Sequence, residues 1–148
     1  MTYKLPMGQD QIQQYLPHRD PMLFVDRVTK LSDNQIQIES NLDPEARYFK
    51  GHFPHMPIQP GVLIIETVAQ AGALLVKLSH DLSDGMFMGF SAVDSAKFKK
   101  PVYPGETLIV DVEIVRKRLP FYKFSGRVSV KDKLVATVDF TAAEMTFE

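Results

Sequence analysis

The run from Gly61 to Val76 limits this chain more than any other stretch: apart from Glu66, Thr67 and Gln70 it is apolar or glycine throughout. A helix built from it is apolar on almost every side, so it must be covered on almost every side. The run is too short to cross a bilayer, which takes about 20 residues, and it carries Glu66. It therefore reads as a core helix, starting after Pro60 and fading near Lys77 or Leu78. An ionisable carboxylate inside such a helix needs either a partner or a chemical role.

The other elements are arranged around this helix. Gln9 to Tyr15 suits a short helix, stopped by Leu16-Pro17. Met22 to Val28 is a mostly apolar run suited to a strand. Asn34 to Asn41 alternates, with Ile36 and Ile38 on one face and Gln35, Gln37 and Glu39 on the other, as in a half-buried strand. Residues 42–60 hold four prolines and little periodicity, so they read as a loop. His80 to Gly85 is a polar turn region. Met86 to Val93 is apolar, Lys97 to Val102 is basic and interrupted by Pro101, and Pro104-Gly105-Glu106 signals a turn. Thr107 to Val115 places Leu108, Val110, Val112 and Ile114 on one face. Phe121 to Val130 and Leu134 to Thr141 complete a meander around the polar turn Lys131-Asp132-Lys133. One long helix among roughly six strands predicts an antiparallel sheet wrapped around the helix, an α+β layering. Neither a repeat nor a linker divides residues 1–148, which read as one domain.

Composition excludes several classes. A net charge of −1 supplies no field for nucleic acid. The absence of cysteine excludes disulfides, thiolate metal sites and a cysteine nucleophile, and fits a reducing cytoplasm. Met1 to Pro6 lacks the charged and apolar regions of a signal peptide.

Three residues stand out chemically. His52 lies in a loop stiffened by Pro54, Pro57 and Pro60. An imidazole there either braces the loop or, with one nitrogen held by a fixed acceptor, offers the other as a base. Glu66 is either a structural carboxylate or an acid whose pKa is raised by burial. Gly61 follows a proline, which has no N–H, so it offers one of the first free donors of the helix. Without a side chain it lets a ligand oxygen approach, the geometry wanted for a developing oxyanion; the other reading is an ordinary helix start.

Three motifs then occur in order. Gly51-His52-Phe53-Pro54, Pro57-Ile58, Pro60-Gly61-Val62-Leu63-Ile64-Ile65-Glu66 and Ala69-Gln70-Ala71 together closely resemble the 3-hydroxyacyl-acyl-carrier-protein dehydratases of the FabZ type. The segment from Leu16 to Val28, which contains Pro17-His18-Arg19-Asp20-Pro21, resembles their N-terminal signature. Lys97-Phe98-Lys99-Lys100-Pro101-Val102-Tyr103-Pro104-Gly105-Glu106 resembles their basic strand and turn. The likeness extends from about Leu16 to Ala143.

The resemblance implies the hotdog fold, a curved antiparallel sheet around one long central helix. It implies a hydro-lyase that converts 3-hydroxyacyl thioesters to trans-2-enoyl thioesters in fatty-acid or related lipid or polyene biosynthesis. It assigns His52 as base and Glu66 as acid, drawn from opposite subunits of a homodimer, with dimers that often assemble further into hexamers. Gly61 is the oxyanion donor, the Ile58 carbonyl fixes the His52 tautomer, and Phe53 and Pro60 belong to the substrate-binding loop. No metal and no organic cofactor is implied, because the substrate arrives on the phosphopantetheine of acyl carrier protein. Lys97, Lys99 and Lys100 are expected either to meet that acidic carrier or its phosphopantetheine phosphate, or to be a solvated strand edge, and Arg116, Lys117 and Arg118 share the ambiguity. A cytoplasmic location is expected, without membrane insertion. His18 and Arg19 read as structural, His55 and His80 as surface residues. The dehydratase–isomerase branch of the fold typically has Asp where Glu66 stands, which argues against isomerisation. A hotdog acyl thioesterase and a non-catalytic acyl-binding hotdog protein are the alternatives.

Overall fold

A computed structural model of the chain describes residues 3–80, 82 and 85–146. Of the turn expected over His80–Gly85, residues 81, 83 and 84 lie outside the described residues, as do Met1 and Thr2 of the N-terminus. The elements run β1 (Met7–Gly8), α1 (Gln9–Ile12), β2 (Arg27–Leu31), β3 (Gln35–Asn41), α2 (Tyr48–Gly51), α3 (Gly61–Ser79), β4 (Met86–Phe98), β5 (Thr107–Arg118), β6 (Phe121–Val130) and β7 (Lys133–Thr146). All described strands form one seven-stranded antiparallel sheet in the order β1-β2-β3-β5-β6-β7-β4.

Helix α3 lies across the face of β3, β5, β6, β7 and β4. By length and composition alone it could cross a membrane, but Ile64, Val68, Ala71, Leu74, Leu75 and Val76 are buried against the sheet. The inward residues of the strands answer them. Ile36 and Ile38 of β3, and Leu108, Val110 and Val112 of β5, are all buried, as their alternation requires. Phe124 of β6 and Phe140 of β7 stack at 4.7 Å beneath the helix. Burying side chains of this size contributes about 1.5–3 kcal/mol each.

The helix is not sealed all round. Val62 is 72% exposed, and Ile65, Ala69 and Ala73, four residues apart on one stripe, are only half-buried. The same side carries β4, which ends the sheet and pairs only with β7 among the described residues. Phe90 and Val93 of β4 are exposed.

Several boundaries differ from the sequence reading. The strand expected over Met22–Val28 starts only at Arg27. The Gln70 side chain takes the backbone groups upstream: its Nε2 donates to the Met22 carbonyl at 2.7 Å and its Oε1 accepts the Phe24 N–H at 2.9 Å. A buried side chain replaces a ladder there. The helix expected through Tyr15 ends at Ile12 and continues as turns. The loop over 42–60 contains the short helix α2. Strand β4 runs on to Phe98, because its partners on β7 continue to Ala136.

One contact fixes how closely helix and sheet approach. A Cβ on Gly126 of β6 would lie 2.5 Å from Val68 Cγ1 and 3.1 Å from the Val138 carbonyl oxygen. Gly126→Ala is therefore expected to destabilise the protein by about 1–3 kcal/mol through overpacking. A thermal melt against wild type checks this, and an unchanged midpoint would show that α3 can shift freely.

Candidate active site

The loop before α3 is held by its own backbone. Helix α2 ends as the His52 N–H donates to the Tyr48 carbonyl at 3.0 Å. Phe53 then adopts φ 58°, the left-handed region that a side chain disfavours. Its carbonyl accepts the Met56 N–H at 2.8 Å. This turn brings His52 Nδ1 to 2.9 Å from the Ile58 carbonyl oxygen. A carbonyl only accepts, so Nδ1 carries the hydrogen, and in the neutral imidazole Nε2 is the nitrogen with the lone pair. Phe53, 61% exposed, stands edge-on to the imidazole at 4.8 Å. Burial pushes the Tyr48 phenol up, so it stays neutral at physiological pH.

The loop is then tied to the sheet. The Gln59 N–H donates to the Val102 carbonyl at 2.7 Å. Pro60 is buried and caps α3, its carbonyl accepting the Leu63 and Ile64 N–H groups. The Gly61 N–H, at the first helical position, has no hydrogen-bond partner among the described residues. The space that a Cβ on Gly61 would fill is not open, as the sequence suggested. The Phe98 ring comes within 2.9 Å of it. Glycine here admits the ring of a neighbouring strand, and so places the basic segment beside the start of α3. Lys97, Lys99 and Lys100 are exposed and have no acidic partner among the described residues.

Glu66 is not the isolated carboxylate that the sequence implied. Its side chain keeps 26% of its surface exposed, so it is not fully buried as the apolar run suggested. Gln70, one turn on, donates from Nε2 to Glu66 Oε2 at 2.9 Å, an i,i+4 pair that spacing alone could have signalled. His18 Nε2 lies 3.5 Å from the same oxygen. Glu66 lines a cavity of about 100 Å³ with His18, Ala69, Phe90, Phe140 and Ala142. His52 does not line it.

Other residues fall into place. The Arg19 guanidinium donates to the carbonyls of Leu16, His18 and Gln13, the structural role expected of it. His18 goes further and faces Glu66. His55 is exposed as expected. His80 is not a bare surface residue. Its Nε2 donates to the Asp33 carbonyl at 2.8 Å, and its Nδ1 faces Lys117 Nζ at 3.0 Å. Lys117, exposed like Arg116 and Arg118, thus reaches His80 and lies over the Tyr122 ring. Among the described residues, no group of three or more His, Asp or Glu side chains is placed to hold a metal.

One long helix in the curve of an antiparallel sheet, with a rigid histidine loop at its N-terminus and a carboxylate one turn in, defines a protein of the hotdog fold. Residues 16–139 match the FabA-like domain. The chain is 39% identical over 146 residues to the 3-hydroxyacyl-[acyl-carrier-protein] dehydratase FabZ of Lawsonia intracellularis, covering 97% of this chain and 95% of that one. It is 41% identical to the FabZ dehydratase of Thiobacillus denitrificans over 139 residues, covering 92% and 96%. This chain belongs to the FabA-like family, among relatives of the FabZ type. A solved dehydratase heterocomplex, ApeI:P from Xenorhabdus doucetiae, shares the fold with a TM-score of 0.75 at 18% identity, covering 97% of this chain and 93% of that chain.

Proposed function

We propose that this protein removes water from 3-hydroxyacyl thioesters carried by acyl carrier protein, giving trans-2-enoyl thioesters. The observation that carries the reading is the 2.9 Å contact between His52 Nδ1 and the Ile58 carbonyl, which leaves Nε2 free to take a proton. His52 abstracts the proton beside the thioester carbonyl. The Gly61 N–H, at the positive end of α3, stabilises the oxygen that gains charge. Glu66 protonates the departing hydroxyl, so that it leaves as water. Phe53 and Pro60 shape the loop against the acyl chain, and the reaction calls on neither a metal nor an organic cofactor.

Two features support a site shared between subunits. Glu66 lines a cavity that His52 does not. The 13-residue edge strand β4 presents exposed Phe90 and Val93 and an edge with no partner strand among the described residues, a surface that a second copy would cover. In such a dimer His52 acts with the partner subunit's Glu66. Further assembly of dimers follows the family habit. Lys97, Lys99 and Lys100, set beside α3 by Phe98, suit an acidic carrier protein. A cytoplasmic location fits a carrier-dependent enzyme without cysteines.

The test is to mix purified protein with a 3-hydroxyacyl carrier-protein thioester and follow enoyl absorbance together with free thiol. Enoyl product without thiol is expected. Thiol without enoyl product would mean a thioesterase, and tight acyl binding without turnover would mean a binding protein.

A further inference from the structure

His18 belongs to the N-terminal segment, and the mechanism above does not use it. Its Nε2 lies 3.5 Å from Glu66 Oε2, while its Nδ1 is buried with no hydrogen-bond partner among the described residues. With Ala73 and Met88 it lines both the Glu66 cavity and a neighbouring one of about 510 Å³. His52 and His80 each turn a ring nitrogen to a backbone carbonyl. His18 turns Nε2 to a carboxylate.

The contacts of Glu66 are one-sided. Oε2 receives Gln70 Nε2 at 2.9 Å and faces His18, whereas Oε1 has no hydrogen-bond partner among the described residues. Gln70 is itself immobile, because its amide also bonds Met22 and Phe24. A carboxyl hydrogen-bonded at one oxygen, with a second side chain set against that oxygen, presents the other in one direction.

We propose that His18 is the positioning residue of the acid: with Gln70 it pins Glu66 Oε2, so that Oε1 is aimed at the leaving hydroxyl. The proposal rests on the dehydratase reading and adds a residue to it. Other charged or titratable groups around the two cavities are Lys77 of α3 and Tyr15 and Arg19 of the N-terminal segment; β4 and β7 present only apolar side chains. Arg19 is committed to three carbonyls, and Glu66 is the carboxylate that His18 faces.

Removing His18 takes away one of the two groups that lie beside Oε2. His18→Ala is expected to reduce kcat about 10- to 100-fold with little change in KM. His18→Gln, whose amide nitrogen can reach the place of Nε2, should recover most of kcat. A second measurement does not need turnover. The ring NMR signals of His18 should shift in Glu66→Gln while those of exposed His55 stay in place, because the group facing Nε2 has changed. If wild type forms no enoyl product, the dehydratase reading fails, and the NMR comparison alone decides the contact. Unmoved His18 signals overturn the proposal. So does a His18→Ala enzyme that turns over like wild type, or one that loses activity only in step with folded protein, or a His18→Gln enzyme that recovers nothing.

Discussion

Replacing His52 with alanine is expected to lower kcat/KM by about 10³- to 10⁴-fold, the upper part of the range for a positioned general base. This corresponds to about 4–5.5 kcal/mol of lost transition-state stabilisation. The expectation follows from the geometry of one ring. Nδ1 is committed to the Ile58 carbonyl at 2.9 Å, and Phe53 stands against the imidazole edge, so Nε2 has a fixed direction. Folding should suffer far less, since a neutral hydrogen bond contributes only about 0.5–1.5 kcal/mol net. His52→Asn separates the two effects. Its amide can still donate to Ile58 and keep the loop in place, yet it cannot act as a base. Loss of activity in both variants with nearly wild-type melting supports the base. Recovery in His52→Asn would reduce His52 to a brace of the loop.

Mixing two inactive variants is expected to restore activity. If each site takes His52 from one subunit and Glu66 from the other, a dimer of one His52→Ala chain and one Glu66→Gln chain holds one doubly damaged site and one intact site. With free exchange at equal amounts, half of the dimers are mixed, so the mixture should regain about a quarter of wild-type activity from two nearly dead proteins. Sites built within single chains would give no recovery. The experiment is sharp because Glu66→Gln keeps the hydrogen-bonding shape around Gln70 while removing the acid. Refolding from mixed denatured chains, with rates measured at each ratio, provides the curve. Its maximum at equal amounts is the signature of shared sites.

How far the sequence reached depended on where the chain's own pattern was stronger than its surroundings. Helix α3 was legible almost to the residue, because Pro60 sets its start and the apolar run permits little else. The alternation of β3 and β5 gave the buried faces correctly. Strand β6 was read with both ends in place. Failures occurred where a distant side chain captured backbone. Met22 to Phe24 carries a strand's composition, but Gln70 takes its hydrogen bonds. Phe98 looked like one apolar residue in a basic segment, yet it occupies the space left by Gly61.

The candidate site divided the same way. The residue types and order of the His52–Glu66 stretch, with the resemblance they carry, already pointed to the FabZ-type family. That resemblance implied the link between His52 and the Ile58 carbonyl, a contact of 2.9 Å in the structure. Gln70 was within reach of spacing as a neighbour of Glu66, but His18 was not, because it lies 48 positions away and only folding brings it to the carboxylate. The sequence by itself determined the elements whose signals are local: periodicity, proline placement and the glycine at the helix start. The tertiary structure alone decided which groups satisfy the polar atoms that those elements expose. A hydrogen bond needs two partners within about 3 Å in the right direction, and local pattern supplies only one of them.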